Sequence, residues 1–228
     1  MATVQDAITY ARQKAKTDSN GISDTNGLAW ANTGLLDGTR ELILRGVDAA
    51  QVVESYTTIA ATDDPPGRFA WPTDMWMLKT IEMDYTGGGG SAYIQGKKVD
   101  ISNLQAGTSW DYLRSNQPTS QPLFTNHGDT GEAFPTPTSS ALVRIFYFLE
   151  PTEYSTVASI IAYPQSLDYR YIGDKILEGY YQSLGQIDNA NAWGQIAMKK
   201  LTDSINILVP QSKQPTQSES LHINGWQF

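Results

Sequence analysis

The stretch LDYRYIGDKILEGYYQSLGQIDNANAWGQIAMKKLTDSI, residues 167–205, decides how this chain is built. Ile172, Ile176, Tyr180 and Leu184 recur every four residues, Gly185 interrupts them, and Asp188 stands where a helix cap is expected. Trp193, Ala197, Leu201, Ile205 and Leu208 then form a second stripe, which stops before Pro210 because proline cannot continue a helix. The spacing predicts two consecutive helices, the second capped by Asp188.

The other end of the chain reads the same way. In residues 3–16, Thr3 and Asp6 stand at capping-box spacing, and Val4, Ile8, Ala11 and Ala15 fall on one face, so a short amphipathic helix is expected. The turn DSNGISDTNG carries two Asn-Gly pairs, and after it Leu28, Ala31, Leu35 and Leu42 recur at helical spacing through about Arg45. Gly34 and Gly38 each weaken this second helix by about 1 kcal/mol relative to Ala, so packing must hold it.

Between the two helical ends the residue types change. VVESYTTIAAT is rich in β-branched residues, DDPPG is a turn cluster, and RFAW is a short apolar strand ended by Pro72. TDMWMLKTI reads as one or two helical turns capped by Thr73 or Asp74. EMDY and AYIQGKKVDIS flank a GGGGS tip, SWDYLRSN reads as a short helix, and residues 117–137 are loop-like. ALVRIFYFL and STVASIIAY are expected to be the central, largely buried strands.

The expected fold class is therefore α+β, in the order helix, helix, β-rich insertion, helix, helix, tail. Neither helical pair has a partner nearby in sequence, so the four are expected to meet as a four-helix bundle. The corresponding domains are residues 1–49 with 164–210 for the bundle, 50–163 for the β-rich insertion, and 211–228 for an extended C-terminal tail.

Composition narrows the function. A chain of 228 residues that is 40% hydrophobic can bury a sizeable core. The absence of Cys leaves no disulfide and no thiolate metal site, which suits a cytosolic or virion protein. MATVQDAITYARQK has no apolar export signal, and no apolar run approaches the roughly 18 residues of a membrane span, so neither export by that route nor a membrane is expected. A net charge of −8 and pI near 4.7 oppose binding to phosphate backbones.

The run WANTGLLDGTRELILRGVDA, then β-rich residues, then GRFAWPTDMWMLKTIEMDY, resembles the head-to-tail adaptor (head completion or connector) proteins of tailed bacteriophages. In that family a helix carrying an Asn and an acidic–basic pair precedes a strand, and a later strand ends in Leu-Pro-x-Asp. Here Asn32, Arg40 and Glu41 match the helix, Trp71-Pro72-Thr73-Asp74 stands in for Leu-Pro-x-Asp, and residues 167–205 are similar to the closing helical hairpin. The resemblance covers most of residues 4–208. It implies a structural, non-enzymatic virion protein without cofactors, made in the host cytoplasm and placed in the neck. Its implied partners are the portal protein, a tail or nozzle protein, and further copies of itself in a dodecameric ring, through which DNA passes without being specifically bound. An acidic conduit wall fits that role, since it does not adsorb its cargo.

The last residues, LHINGWQF, follow ten that carry no large apolar side chain (QSKQPTQSES). Burying Leu221, Ile223, Trp226 and Phe228 gains about 1.5–3 kcal/mol apiece. Ordering the backbone of residues 211–228 costs about 1–2 kcal/mol per residue, so ordering loses in a lone subunit. In a ring each copy presents this segment at high effective concentration, and a ten-residue leash reaches up to about 35 Å. These four residues are accordingly expected to bind the portal or a neighbouring subunit. Trp30, one residue off its helical stripe, and Trp76 are candidates for a subunit interface.

A glycan-binding or peptidoglycan-hydrolysing virion module is the alternative. Asp63-Asp64 and Glu150 with Glu153 are carboxylate pairs, and Trp71, Trp76 and Trp110 are sugar-stacking candidates. Yet both pairs sit at Pro-containing turns, where such residues serve the backbone. His127 and His222 lie far apart in polar sequence, and neither a G-x-S-x-G nor a P-loop occurs. Catalytic, cofactor and metal residues are therefore not expected.

Overall fold

The computed structural model describes residues 2–60, 67–86, 92–99, 109–161 and 168–208, with side chains as far as Ile205. The fold is mixed α+β, with five helices and two sheets among the described residues. The chain divides into a helical unit, Met1–Ala50 with Pro151–Phe228, and a β unit, Gln51–Glu150.

In the helical unit α1 (Val4–Ala15) opens with a complete capping box. Asp6 N–H donates to Thr3 Oγ1 (3.3 Å) and Thr3 N–H to Asp6 Oδ2 (2.8 Å). The backbone bond from Thr3 holds the Asp6 carboxyl below the usual carboxylate range. Its remaining N–H groups need partners too. Val4 N–H donates to Ser159 O (3.0 Å) and Gln5 N–H to Val157 O (2.8 Å).

This corrects the expectation that STVASIIAY is a buried strand. Apart from one bridge between Thr3 and Ile160, residues 151–161 form no β structure. They pack through Tyr154, Val157 and Ile161 on the helical core, where their carbonyls cap α1. Strand propensity lost to a set of backbone donors that had no other acceptor.

Helix α2 (Asp24–Leu44) starts a turn earlier than its apolar stripe, because Ser23 caps it through a bond from Asn26 N–H (3.1 Å). Helices α4 (Tyr169–Ser183) and α5 (Ile187–Leu208) follow the predicted pair, joined at Gly185 in the left-handed region (φ +70°). Asp188 is not the cap: Ala190 N–H already donates to Gln186 O (3.0 Å), which puts Asp188 inside the first turn, where its charge still favours the helix N-terminus. On α5, Ala197, Leu201 and Ile205 are buried and Trp193 is half-buried.

Helix α4 packs against α1, α2 and α5, so it is covered on more than one side. A Cβ at Gly173 would lie 2.5 Å from the Tyr10 ring of α1, one at Gly179 2.5 Å from the Trp30 ring of α2, and one at Gly34 2.9 Å from Lys175 Cβ. Gly34, Gly173 and Gly179, which weaken α2 and α4 locally, thus sit where side chains of neighbouring helices press close.

The β unit is made of two four-stranded sheets. Strands β1 (Val52–Ile59), β8 (Ala141–Phe148), β3 (Met77–Asp84) and β4 (Ile94–Gln95) are ordered β1-β8-β3-β4 and antiparallel. The second sheet runs β2-β7-β6-β5: β2 (Arg68–Ala70), β7 (Thr130–Phe134), β6 (Leu123–His127) and β5 (Lys97–Lys98), with only the β5–β6 pairing parallel. Ile59, Ile81, Met83, Val143, Ile145 and Tyr147 of the first sheet share a core with Phe69, Phe124 and Ala133 of the second. The short helix α3 (Trp110–Asn116) is capped by Ser109 and stacks Trp110 on Phe134 of β7.

Two further expectations change here. TDMWMLKTI makes a turn at residues 73–74, with Met75 N–H donating to Pro72 O (3.2 Å), and then becomes strand β3 rather than helix. Ile81 and Met83 alternate into the core opposite Ile145 and Val143, a period-two pattern that outweighs Thr73 and Asp74 as caps. Residues 117–137 are not only loop: they hold the β6–β7 hairpin, which turns at Gly128 (φ +69°).

Candidate functional site

Of the residues that the sequence singles out, Leu221, Ile223, Trp226 and Phe228 lie outside the described residues, as do His222 and the Asp63-Asp64 pair. Trp30 is half-buried, its ring against the bare backbone of Gly179. Trp76 is half-buried just before β3, and its backbone N–H donates to Phe148 O (3.0 Å). The structure places Trp30 in the helical unit and Trp76 in the β unit.

Asn32 of α2 has a defined task. Its amide Nδ2 donates to Tyr154 O (3.2 Å) and its Oδ1 accepts from Tyr154 N–H (2.8 Å), so one side chain clamps both backbone groups of a residue 122 positions away. Beside the clamp a groove of about 430 Å³ runs along α2 past Leu28, Ala29, Asn32 and Leu36, with Glu153 and Tyr154 on its other wall. The Tyr154 hydroxyl is buried and bonds no described residue, and burial pushes its pKa up to about 12. Arg40 is exposed, and Glu41 pairs with Arg45 (2.9 Å) along the helix. Asp74 of the Trp-Pro-Thr-Asp element accepts the Tyr147 hydroxyl (2.8 Å), which fixes the turn ahead of β3 to the central strand β8.

Asp174 and Glu132, both fully buried and ion-paired, carry no signal in the sequence. Asp174 has no solvent exposure, accepts the Tyr10 hydroxyl (3.1 Å) and pairs with Lys200. Burial pushes the Asp174 pKa up, against the pull of Lys200. Burial also works against the charge of Lys200, but its bonds to Asp174 and Tyr10 outweigh it, and the ammonium is held above its ordinary range. On the helical wheel Asp174 falls opposite the stripe of Ile172 and Ile176, the position of a solvated residue. It is buried because α4 is covered by α1 and α5 on that side as well.

Glu132 of β7 lies on the face of the second sheet that α3 covers. Arg114 of α3 donates to its Oε1 (2.7 Å), His127 Nε2 lies 2.9 Å from its Oε2, and Arg68 Nε stands 4.0 Å away. The bond to Glu132 holds the Arg114 guanidinium above its ordinary range. On the outer face of the first sheet, Arg144 bonds Glu82 through Nε (2.8 Å), reaches Glu54 (3.5 Å), and lies over the rings of Tyr93 (4.2 Å) and Phe146 (5.2 Å).

Chemically these groups are spent on one another. Asp174 and Glu132 are buried against cations, whereas Glu150 and Glu153 are exposed, Glu153 on the wall of the α2 groove. Trp71 donates to Asn126 Oδ1 (3.2 Å) and packs on Phe69 and Phe124, while Trp110 lies against Phe134 and His127, so these indoles serve the β unit's own packing. Among the described residues no three acidic or imidazole side chains gather as a metal site, and no helix is long and apolar enough to cross a membrane. No family model matches the sequence, and no curated protein is significantly similar to it.

Proposed function

We propose that this chain is a head-to-tail adaptor of a tailed phage virion, a structural protein that forms a ring beneath the portal, extends the DNA channel and docks the tail. The observation that carries the reading is the element order: helices from both chain ends share one core, and a two-sheet β unit is inserted between them. We read the helical unit as a four-helix bundle of α1, α2, α4 and α5. Asn32 of the helical unit and Asp74 of the β unit, which match the adaptor pattern, each fix one loop to its own unit, and that is a scaffolding task rather than a chemical one.

In this reading α5 is the base from which residues 211–228 extend, and Leu221, Ile223, Trp226 and Phe228 bind the portal or the adjacent subunit. The neck of the virion is then the protein's site of action. Purified full-length protein mixed with portal rings should give a complex with a fixed number of copies per ring. Truncation after Pro210 should abolish that attachment while leaving Tm nearly unchanged. Attachment of the truncated chain at normal strength would sink the assignment of these four side chains, and failure of the full chain to bind any portal ring would sink the adaptor reading.

A further inference from the structure

We infer that the surface formed by Tyr10 and Lys14 of α1, Tyr169 and Arg170 of α4 and Lys200 of α5 is a contact for the acidic surface of a second copy of this chain. This deepens the assembly reading, on which it rests for the identity of the partner.

The chain is acidic, with 16 Lys and Arg against 24 Asp and Glu. In the helical unit Arg12 is used on Asp24, Arg45 on Glu41, and Lys175 on Asp37 and Glu178, while the exposed Lys16, Arg40 and Lys199 lie over no tyrosine ring among the described residues. At the seam of α1, α4 and α5 the pattern differs. Lys14 lies over the Tyr10 ring (5.7 Å) and Arg170 over the Tyr169 ring (5.7 Å), both exposed, and neither pairs with a carboxylate among the described residues. The two rings meet edge to face at 6.3 Å, and Lys200 lies over Tyr10 (5.3 Å). Of the nearby acids, Asp174 is fully buried under Lys200, and Asp168 caps α4 by accepting Arg170 N–H (3.0 Å) and keeps an exposed carboxylate next to Arg170. That leaves the outward charge to Lys14 and Arg170 against one acid. The result is a small surface with fixed aromatic rings and outward positive charge on a negative molecule.

The cations say what fits. DNA binding strength rises with the number of phosphates neutralised, roughly one counterion for each, and three cations on a chain of charge −8 hold a duplex poorly. A second copy supplies carboxylates in surplus, and tyrosine and arginine are residue types enriched at protein interfaces. Because the patch repels its own image, it meets a different surface of the next copy. Such a heterologous contact propagates around a ring instead of stopping at a two-fold dimer.

The test joins unlabelled to heavy-isotope-labelled full-length protein with a zero-length carbodiimide, which links an amine to a carboxylate in contact. Mixed-isotope links should join Lys14 of one copy to an Asp or Glu of another. Their yield should fall several-fold in added salt and in the double variant Lys14→Glu with Arg170→Glu. Circular dichroism and Tm report whether that variant is folded, and Lys14→Gln with Arg170→Gln replaces it if not. Absence of mixed-isotope links at Lys14, undiminished links in folded variants, or binding of labelled duplex DNA that the variants lose while links persist would each overturn the inference. Portal binding by the same preparations separates the two ideas: a chain that binds the portal without these links loses the patch and keeps the adaptor reading.

Discussion

Asp174 in the helical unit and Glu132 in the β unit are both without solvent exposure, yet they are held in opposite ways. Asp174 draws on α1 and α5, with a tyrosine 164 positions away and one lysine, so it ties elements that are distant in sequence. Glu132 is surrounded by Arg68 of β2, Arg114 of α3 and His127 of β6, each with a partly exposed side chain. The helical unit therefore depends on a single, partly exposed cation at its seam, whereas the β unit spreads the same task over several partly exposed groups.

The sharpest way to break this contrast is to remove one partner from each. Lys200→Met should cost about 3–5 kcal/mol in urea unfolding, because it leaves a buried carboxylate without a counterion, and Asp174→Asn added to it should recover much of the loss. Glu132→Gln should cost less, about 2–3 kcal/mol, since the bereaved cations are partly solvated. If the two losses come out equal, or in the reverse order, the contrast is wrong.

Smaller changes sharpen the picture within the helical unit. Asn32→Ala should cost about 1–3 kcal/mol and speed amide exchange at Tyr154, because both backbone groups of that residue lose their partner. Tyr154→Phe should instead be neutral or stabilise by about 1 kcal/mol, since the buried hydroxyl bonds no described residue. Its effect on pH dependence has a definite sign. With a folded pKa pushed up to about 12, the stability lent by the neutral phenol is whole below the unfolded value near 10 and is lost as pH rises from there through 12. The Phe variant should lack that part of the alkaline loss.

The legible and illegible parts of the molecule differ by the range of the signal. Thr3 with Asp6, Ser109 before α3, and the four-residue recurrence in α4 are visible because their partners lie within one helical turn. TDMWMLKTI reads as helix because two good caps precede a segment whose alternation only matters once β8 supplies the opposite row. LFTNHGDTGEAF reads as loop by composition, although a Gly-Asp pair between two apolar runs is itself a hairpin signal. Asp174 gave no signal at all, since nothing local distinguishes a solvated helix position from one that another helix will cover.

By itself the sequence determined the α+β class, the helices at both ends with the Thr3–Asp6 cap of the first, the β-rich middle and the net acidic charge. Only the tertiary structure decided that residues 151–161 cap α1 instead of forming a strand, that Asn32 clamps Tyr154, and that Asp174 and Glu132 are sealed by cations. The reason is that caps and periodicity are settled among neighbours a few residues apart. Which buried donor meets which acceptor is settled only when segments 122 or 164 positions apart compete for the same partner.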